Sequence, residues 1–503
     1  MTILKGRKAT KDDQVRPLRA GPRGWLGRGR GQTSYIQVTD EFRGSTAQVC
    51  GLWPFPVGTG TPMVGAPLGQ HLYTGAAVCG DPISWFQRAK LISNPSAWVE
   101  GLPALGKSTL VRRMATGVAG FGVQSLVLGD LKPDYVDLIE VLGGQVISLG
   151  RGRGYLNILD PGEAVEAAEA LRARGYTKEA DEVEADAHGR RLTMVSALLT
   201  IMRKSPPDDV EESILDQALH VLDRRLDRVP VLADLVQVVQ DAPPEVREVA
   251  VDRGSMTEYH KITRGLEASL ISLARGGRLG ETFARPTTNP MRRDRPVVYD
   301  VSSLKETDVD LRAATLLACW SNGFAAVNVA NVLADAGLEP RRHYFVIMDE
   351  LWQALRSGPG MVDRVDQLTR LNRQFGVGTA MITHTMNDLL ALPTEEDRMK
   401  ARGFVERAGM VILGGLSKAE MPQLTAAVTL SRAEQHLLGS WTVPPTWDPV
   451  AGRETDPPGR GMFLVKVGGR PGIPIKVELT QAERDINDTN KKWREQSRVG
   501  TVS

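Results

Sequence analysis

Apolar residues along this chain gather into short unbroken runs separated by longer helical stretches. Such runs read as strands buried in a sheet. They occur at residues 98–100, 125–130, 145–149, 295–301, 344–348, 378–383 and 408–413. Helix-compatible segments lie between them, at 109–114, 135–142, 364–375 and a long apolar stretch, 308–336, carrying Trp320 and Phe324. Strands alternating with helices imply a parallel, doubly wound sheet with six or more core strands. The pattern changes at about Pro161, where the sequence becomes helical and charge-rich as far as Arg278. Segments 164–174, 185–202 and 214–226 are its clearest periodic stretches. Near the end, residues 462–467 and 473–479 alternate around Gly468-Gly469-Arg470-Pro471-Gly472, a hairpin signal, and a polar helix follows at 481–494.

These patterns predict an α/β chain with a core of mainly parallel sheet, interrupted by an inserted all-α domain. The expected divisions are a basic disordered tail, 1–46; a small β-rich module beside the core, 47–97; the core, 98–160 and 279–495; the all-α insertion, 161–278; and a C-terminal tail, 496–503.

The chemistry is concentrated at two strand ends. Trp98-Val99-Glu100 runs into Gly101-Leu102-Pro103-Ala104-Leu105-Gly106-Lys107-Ser108-Thr109, the G-x-x-x-x-G-K-[ST] spacing of a phosphate-binding loop. Its backbone N–H groups would surround the β- and γ-phosphates of a nucleoside triphosphate at a helix start, with Lys107 neutralising oxygen charge and Ser108 ligating Mg²⁺. Alone, the pattern could be a glycine turn with an incidental lysine. Downstream, Tyr344-Phe345-Val346-Ile347-Met348-Asp349-Glu350 supplies the complement: Asp349 to hold the metal through its water shell and Glu350 to polarise the attacking water. Ala104 and Leu105 stand where such loops often carry glycine or serine. If position 104 is left-handed, alanine costs about 1–2 kcal/mol there.

Composition sets limits. A chain of 503 residues that is 42% hydrophobic has ample material for two to four domains. No uninterrupted apolar run reaches the length of a membrane span, and no signal-peptide pattern is present, which predicts a cytoplasmic location. Cys50, Cys79 and Cys319 show no paired or Cys/His spacing, so neither a disulfide scaffold nor a structural zinc is expected. Net charge is +2, yet residues 1–31 carry +7. That tail could meet anionic lipid, nucleic acid or an acidic partner, or simply be solvated.

Together these residues resemble the large cytoplasmic ATPase of type IV secretion and conjugation machines, in the HerA/FtsK superfamily. The resemblance runs from about residue 47 to 495. Its marks are Trp53-Pro54-Phe55, Asp81-Pro82, Asn94-Pro95, Asp130-x-Lys132-x-Asp134-Tyr135, Gly143-Gly144, Asn157-Ile158-Leu159-Asp160, Tyr299 to Leu304 and Met348-Asp349-Glu350-Leu351-Trp352. The tryptophan two residues past the Asp-Glu pair distinguishes this branch better than the phosphate loop does. The family's R-K-x-G segment reads Arg373-Gln374-Phe375-Gly376 here, and its strand-tip T-Q reads Thr383-His384. The resemblance makes His384 a γ-phosphate or lytic-water sensor, against a plain turn residue. It makes Arg373 the first candidate for an arginine acting across a subunit interface, with Arg402 and Arg407 as competitors and surface salt bridges as the alternative for each. Asp130 to Tyr135 more often builds the site than performs chemistry.

The resemblance implies a P-loop NTPase (RecA-like) core, ATP and Mg²⁺ as ligands, and a homo-oligomer, a hexameric ring. It further implies membrane-embedded channel components as partners, DNA or a DNA–protein complex as cargo, and a peripheral position at the inner face of the membrane. About fifty residues precede the matching region where relatives carry a docking domain, so docking is expected to use the tail, by anionic lipid contact for example, or a separate partner. The leading expectation is an ATPase driving channel assembly or substrate transfer. The alternatives are a DNA-translocating coupling ATPase and a nucleotide-binding scaffold with little turnover. The intact Lys107, Ser108, Asp349 and Glu350 set argues against the scaffold.

Overall fold

The computed structural model describes residues 61–150, 152–276, 279–356, 362–363, 365–366, 376–392, 394–448 and 453–486. The tail, Cys50, Trp53-Pro54-Phe55, Arg373, most of the helix expected at 364–375 and the end of the closing helix lie outside these residues.

The strands, in chain order, are β1 Pro67–His71, β2 Ala77–Cys79, β3 Ser96–Glu100, β4 Gln124–Asp130, β5 Gln145–Ser148, β6 Val297–Asp300, β7 Tyr344–Met348, β8 Val377–Thr383, β9 Met410–Leu413, β10 Trp447–Asp448, β11 Arg453–Glu454, β12 Met462–Lys466 and β13 Ile473–Val477. Eleven form one sheet in the order β2-β1-β13-β12-β9-β3-β8-β7-β4-β6-β5. From β9 to β5 every pairing is parallel. The other four strands are antiparallel and form one edge. Side chains alternate across this sheet with the strand period of two. Trp98, Leu126, Leu128, Tyr344, Val346 and Met348 join the core on one face. Ala97, Val99, Val127, Phe345, Ile347 and Ile382 pack on the other with Leu110, Val111 and Met114 of the helix Lys107–Ala119.

One expectation changes. The segment read as a module beside the core is part of its sheet: β1 pairs with β13 at Gly69↔Val477, Gln70↔Lys476 and His71↔Ile475. Asp81 secures it, accepting from Ser84 N at 2.7 Å to cap the helix Pro82–Gln87 and from Ala66 N at 2.9 Å. The long apolar helix expected at 308–336 runs from Val309 to Asp335, and by length and composition alone it could also cross a membrane. Here it is a core helix, with Ala314, Leu316, Leu317 and Trp320 buried under the sheet.

Between β5 and β6 the chain forms helices Ala164–Ala173, Thr177–Arg203, Asp209–Arg225, Leu232–Asp241, Pro244–Ala250 and Met256–Ala274. Asp209–Arg225 starts at a capping box in which Asp208 accepts from Glu211 N while the Glu211 carboxylate accepts from Asp208 N. The apolar faces of these helices close onto Val309–Asp335: Ala168, Leu171 and Val183 meet Val329 and Leu333, while Leu198, Leu219 and Leu270 share the sheet's own core cluster.

Candidate nucleotide site

β3, β8 and β7 are parallel neighbours, so their C-terminal ends emerge together. This is where an open parallel sheet carries its ligand crevice. β3 delivers Glu100 and the loop 101–106, β7 delivers Asp349 and Glu350, and β8, lying between them, delivers His384. The helix Lys107–Ala119 begins because Gly106 takes φ +96, a left-handed conformation that frees the chain to turn, and its carbonyl accepts from Leu110 N. Ala104 does adopt a left-handed φ, +66, so the alanine carries the strain of about 1–2 kcal/mol. The loop is clamped from behind: Gly101 N donates to His384 O, Leu102 N to Gly415 O, and Gly461 N to Leu105 O. Leu105 turns its side chain inward, whereas Pro103 and Ala104 are exposed.

Lys107 is buried, and its Nζ donates to Gly101 O at 2.6 Å and Leu102 O at 3.2 Å and lies 3.1 Å from His384 Nδ1. Burial lowers its pKa to about 8, against the opposing pull of Asp349 and Glu350. His384 Nε2 lies 3.3 Å from Glu350 Oε2. One imidazole therefore bridges the phosphate-loop lysine and the strand-tip glutamate. Glu350 is also held by Trp352 Nε1 at 2.6 Å and Lys132 Nζ at 3.4 Å. Burial pushes its pKa up, but His384, Lys132 and Trp352 outweigh burial and bring it down to about 2. Its backbone sits at φ +52, a strained conformation for a glutamate, at the point where the chain turns from β7 into the helix Leu351–Leu355.

Asp349 behaves oppositely. Burial, then the charges of Glu350 and Asp134, raise its pKa to about 7. Ser108 hydrogen-bonds Asp134, whose own pKa is raised chiefly by burial. Asp130 accepts from Asp134 N at 3.0 Å and Tyr135 N at 2.7 Å, folding the turn that presents Asp134 and Lys132. Ser108, Asp134 and Asp349 thus form a set of hard oxygen donors, the set that magnesium prefers.

Sequence reasoning missed three partners. Trp352 was noted only as a family mark; here its indole fixes Glu350. Lys132 reaches Glu350 across separate strands, a contact that no local pattern encodes. Glu100, behind the loop, is fully buried, with one oxygen accepting from Trp98 Nε1 at 3.1 Å and Oε1 without a partner. Burial, with added repulsion from Glu420 and Asp388, raises its pKa to about 8. Because the folded chain holds this proton more tightly than the unfolded one, its contribution to stability declines as pH rises from about 4.5 to about 8. Glu100→Gln is expected to remove that decline. Melting temperatures at pH 6 and pH 8 should draw together in the variant; an unchanged difference would contradict the assignment.

The competing arginines lie elsewhere. Arg407 closes the helix Glu395–Arg407, just before β9 begins, at the opposite end of the strands from the phosphate loop. It pairs with Asp366 at 3.0 Å. Arg402, on the same helix, pairs with Glu406 at 2.7 Å.

No family model and no curated protein matches the chain. Among solved structures, VirB4 of Thermoanaerobacter pseudethanolicus is similar over 85% of this chain and 100% of its own, with TM-score 0.60 and 18% identity. The bacterial conjugative coupling protein TrwB, in a sulfate-bound form, aligns over 77% of this chain and 86% of its own with TM-score 0.46 and 13% identity. TrwB with ADP and Mg²⁺ aligns over the same shares with TM-score 0.45 and 14% identity. The likeness to VirB4 establishes the fold, a P-loop NTPase core with a large, mainly parallel sheet, in agreement with the resemblance drawn from the motifs.

Proposed function

We propose that this chain is an ATPase that energises a type IV secretion or conjugation apparatus, hydrolysing ATP in an oligomeric, hexameric ring to drive channel assembly or substrate transfer. The observation that carries this reading is the convergence of Lys107, Asp349, Glu350 and His384 at adjacent strand ends, in a fold that matches VirB4 along the whole of that chain. The loop N–H groups from Gly101 to Thr109 cradle the phosphates, Lys107 leaves its carbonyl partners to pair with phosphate oxygens, and Glu350 orients the attacking water. Ser108 and Asp349 hold Mg²⁺, which would offset the carboxylate repulsion around Asp349 and neutralise phosphate charge. Arg373 is the first candidate for a charge-stabilising arginine given to the neighbouring subunit; Arg407, remote from its own phosphate loop, is the second.

His384 couples Lys107 to Glu350. His384→Ala is expected to lower turnover by roughly 10-fold or more, and His384→Gln, whose amide hydrogen-bonds in both directions, to recover most of it. Equal losses in the two variants would mean that the imidazole does not act through these contacts.

ATP hydrolysis measured with and without single- and double-stranded DNA, beside the solution mass of the protein, tests the functional reading. Turnover that rises with assembly and ignores DNA is expected. Strong, salt-sensitive stimulation by DNA would replace this reading with a DNA-pumping one.

A further inference from the structure

Helices Thr177–Arg203 and Asp209–Arg225 face each other across two imidazoles and two carboxylates. His188 comes from the first helix; Asp216, His220 and Asp223 come from successive turns of the second and share one face. His188 Nε2 lies 2.8 Å from Asp216 Oδ1. That hydrogen bond places a ring proton on Nε2; Asp223 and Asp216 raise the ring's pKa, so a cation must displace the proton that Nδ1 carries in the imidazolium. Nδ1 is buried, has no hydrogen-bond partner, and stands 3.8 Å from Asp223 Oδ2. A carboxylate holding the far nitrogen is the arrangement that orients metal-binding histidines. The His220 ring stacks on that of His188, with centroids 3.9 Å apart. One donor atom from each of His188, His220 and Asp223 falls within 4.8 Å of the others. Arg191 steadies Asp223 with contacts of 2.7 and 2.6 Å, and each carboxylate oxygen keeps a further lone pair.

We propose that His188, His220 and Asp223 form a divalent transition-metal site, with zinc the ion best suited to two imidazoles and one carboxylate, and that Asp216 is its positioning residue. The site ties the two helices together, away from the nucleotide crevice, and is independent of the proposed ATPase activity. Zinc bonds of about 2.0–2.2 Å lie in the plane of each imidazole, so ligation requires the half-exposed His220 ring to rotate out of its parallel stack on His188 and the donors to close by roughly an ångström. No local pattern signals this site, because the ligands come from two helices rather than from one short motif.

The test uses the full chain, dialysed against chelator and then equilibrated with Zn²⁺ or Co²⁺. The wild type is expected to retain one zinc per chain by elemental analysis, to melt higher with zinc than without, and to give a cobalt absorption spectrum with nitrogen ligation. His220→Ala and Asp223→Asn, each checked for fold by circular dichroism, are expected to lose the bound zinc. Asp216→Asn is expected to weaken affinity by about 10- to 100-fold. Absence of zinc uptake by the folded wild type, or unchanged stoichiometry and affinity in both ligand variants, would overturn the assignment.

Discussion

Glu350→Gln is expected to bind ATP about as tightly as the wild type and to lose turnover by roughly 10²- to 10⁴-fold. The carboxylate is kept ionised by His384, Lys132 and Trp352, which hold its pKa at about 2 despite burial, so at neutral pH it is the form that attracts and orients water. An amide of the same shape keeps the Trp352 contact and the turn out of β7 but cannot accept a proton from water. Nucleotide affinity should hold or rise slightly, since one negative charge beside Lys107 is gone. Equilibrium binding of a fluorescent ATP analogue and single-turnover hydrolysis separate the two effects; hydrolysis at the wild-type rate would remove Glu350 from this role.

Lys107→Ala carries the second large effect, a loss of roughly 10- to 100-fold in ATP affinity, as expected for a charge-assisted hydrogen bond removed from a buried position. The wild-type affinity should itself weaken as pH rises past about 8, where the free lysine gives up its proton, and the variant should lack that dependence. Titration calorimetry at pH 7 and pH 9 distinguishes these outcomes. Undiminished affinity in a folded variant would place the phosphates elsewhere.

The strand-end elements of the candidate nucleotide site were largely legible in the sequence because they are local. Five apolar residues ending in Asp349-Glu350 read as a buried strand with acids at its tip, and Gly106 before Lys107 marks the turn into a helix. The risk flagged at Ala104 is realised as a positive φ. His384 was singled out by resemblance alone; its meaning emerged only when β8 took its place between β3 and β7. What stayed hidden depends on distant partners. Glu350 has a left-handed backbone that no local pattern announces, and Lys132 reaches it from the turn after β4. The pairing of β1 with β13 joins opposite ends of the described chain, so a segment with weak local signals looked separate when it is an edge of the sheet. The helix Val309–Asp335 was legible as a core element from its place between two buried strands, although its composition alone does not distinguish a protein core from lipid.

The central claim is tested most directly by steady-state ATP hydrolysis across a protein concentration series, with wild type and Glu350→Gln side by side. The account predicts Mg²⁺-dependent turnover per subunit that climbs as the ring assembles and that is nearly abolished in the variant. Turnover that is absent from the assembled wild type, or equal in the two proteins, would contradict it.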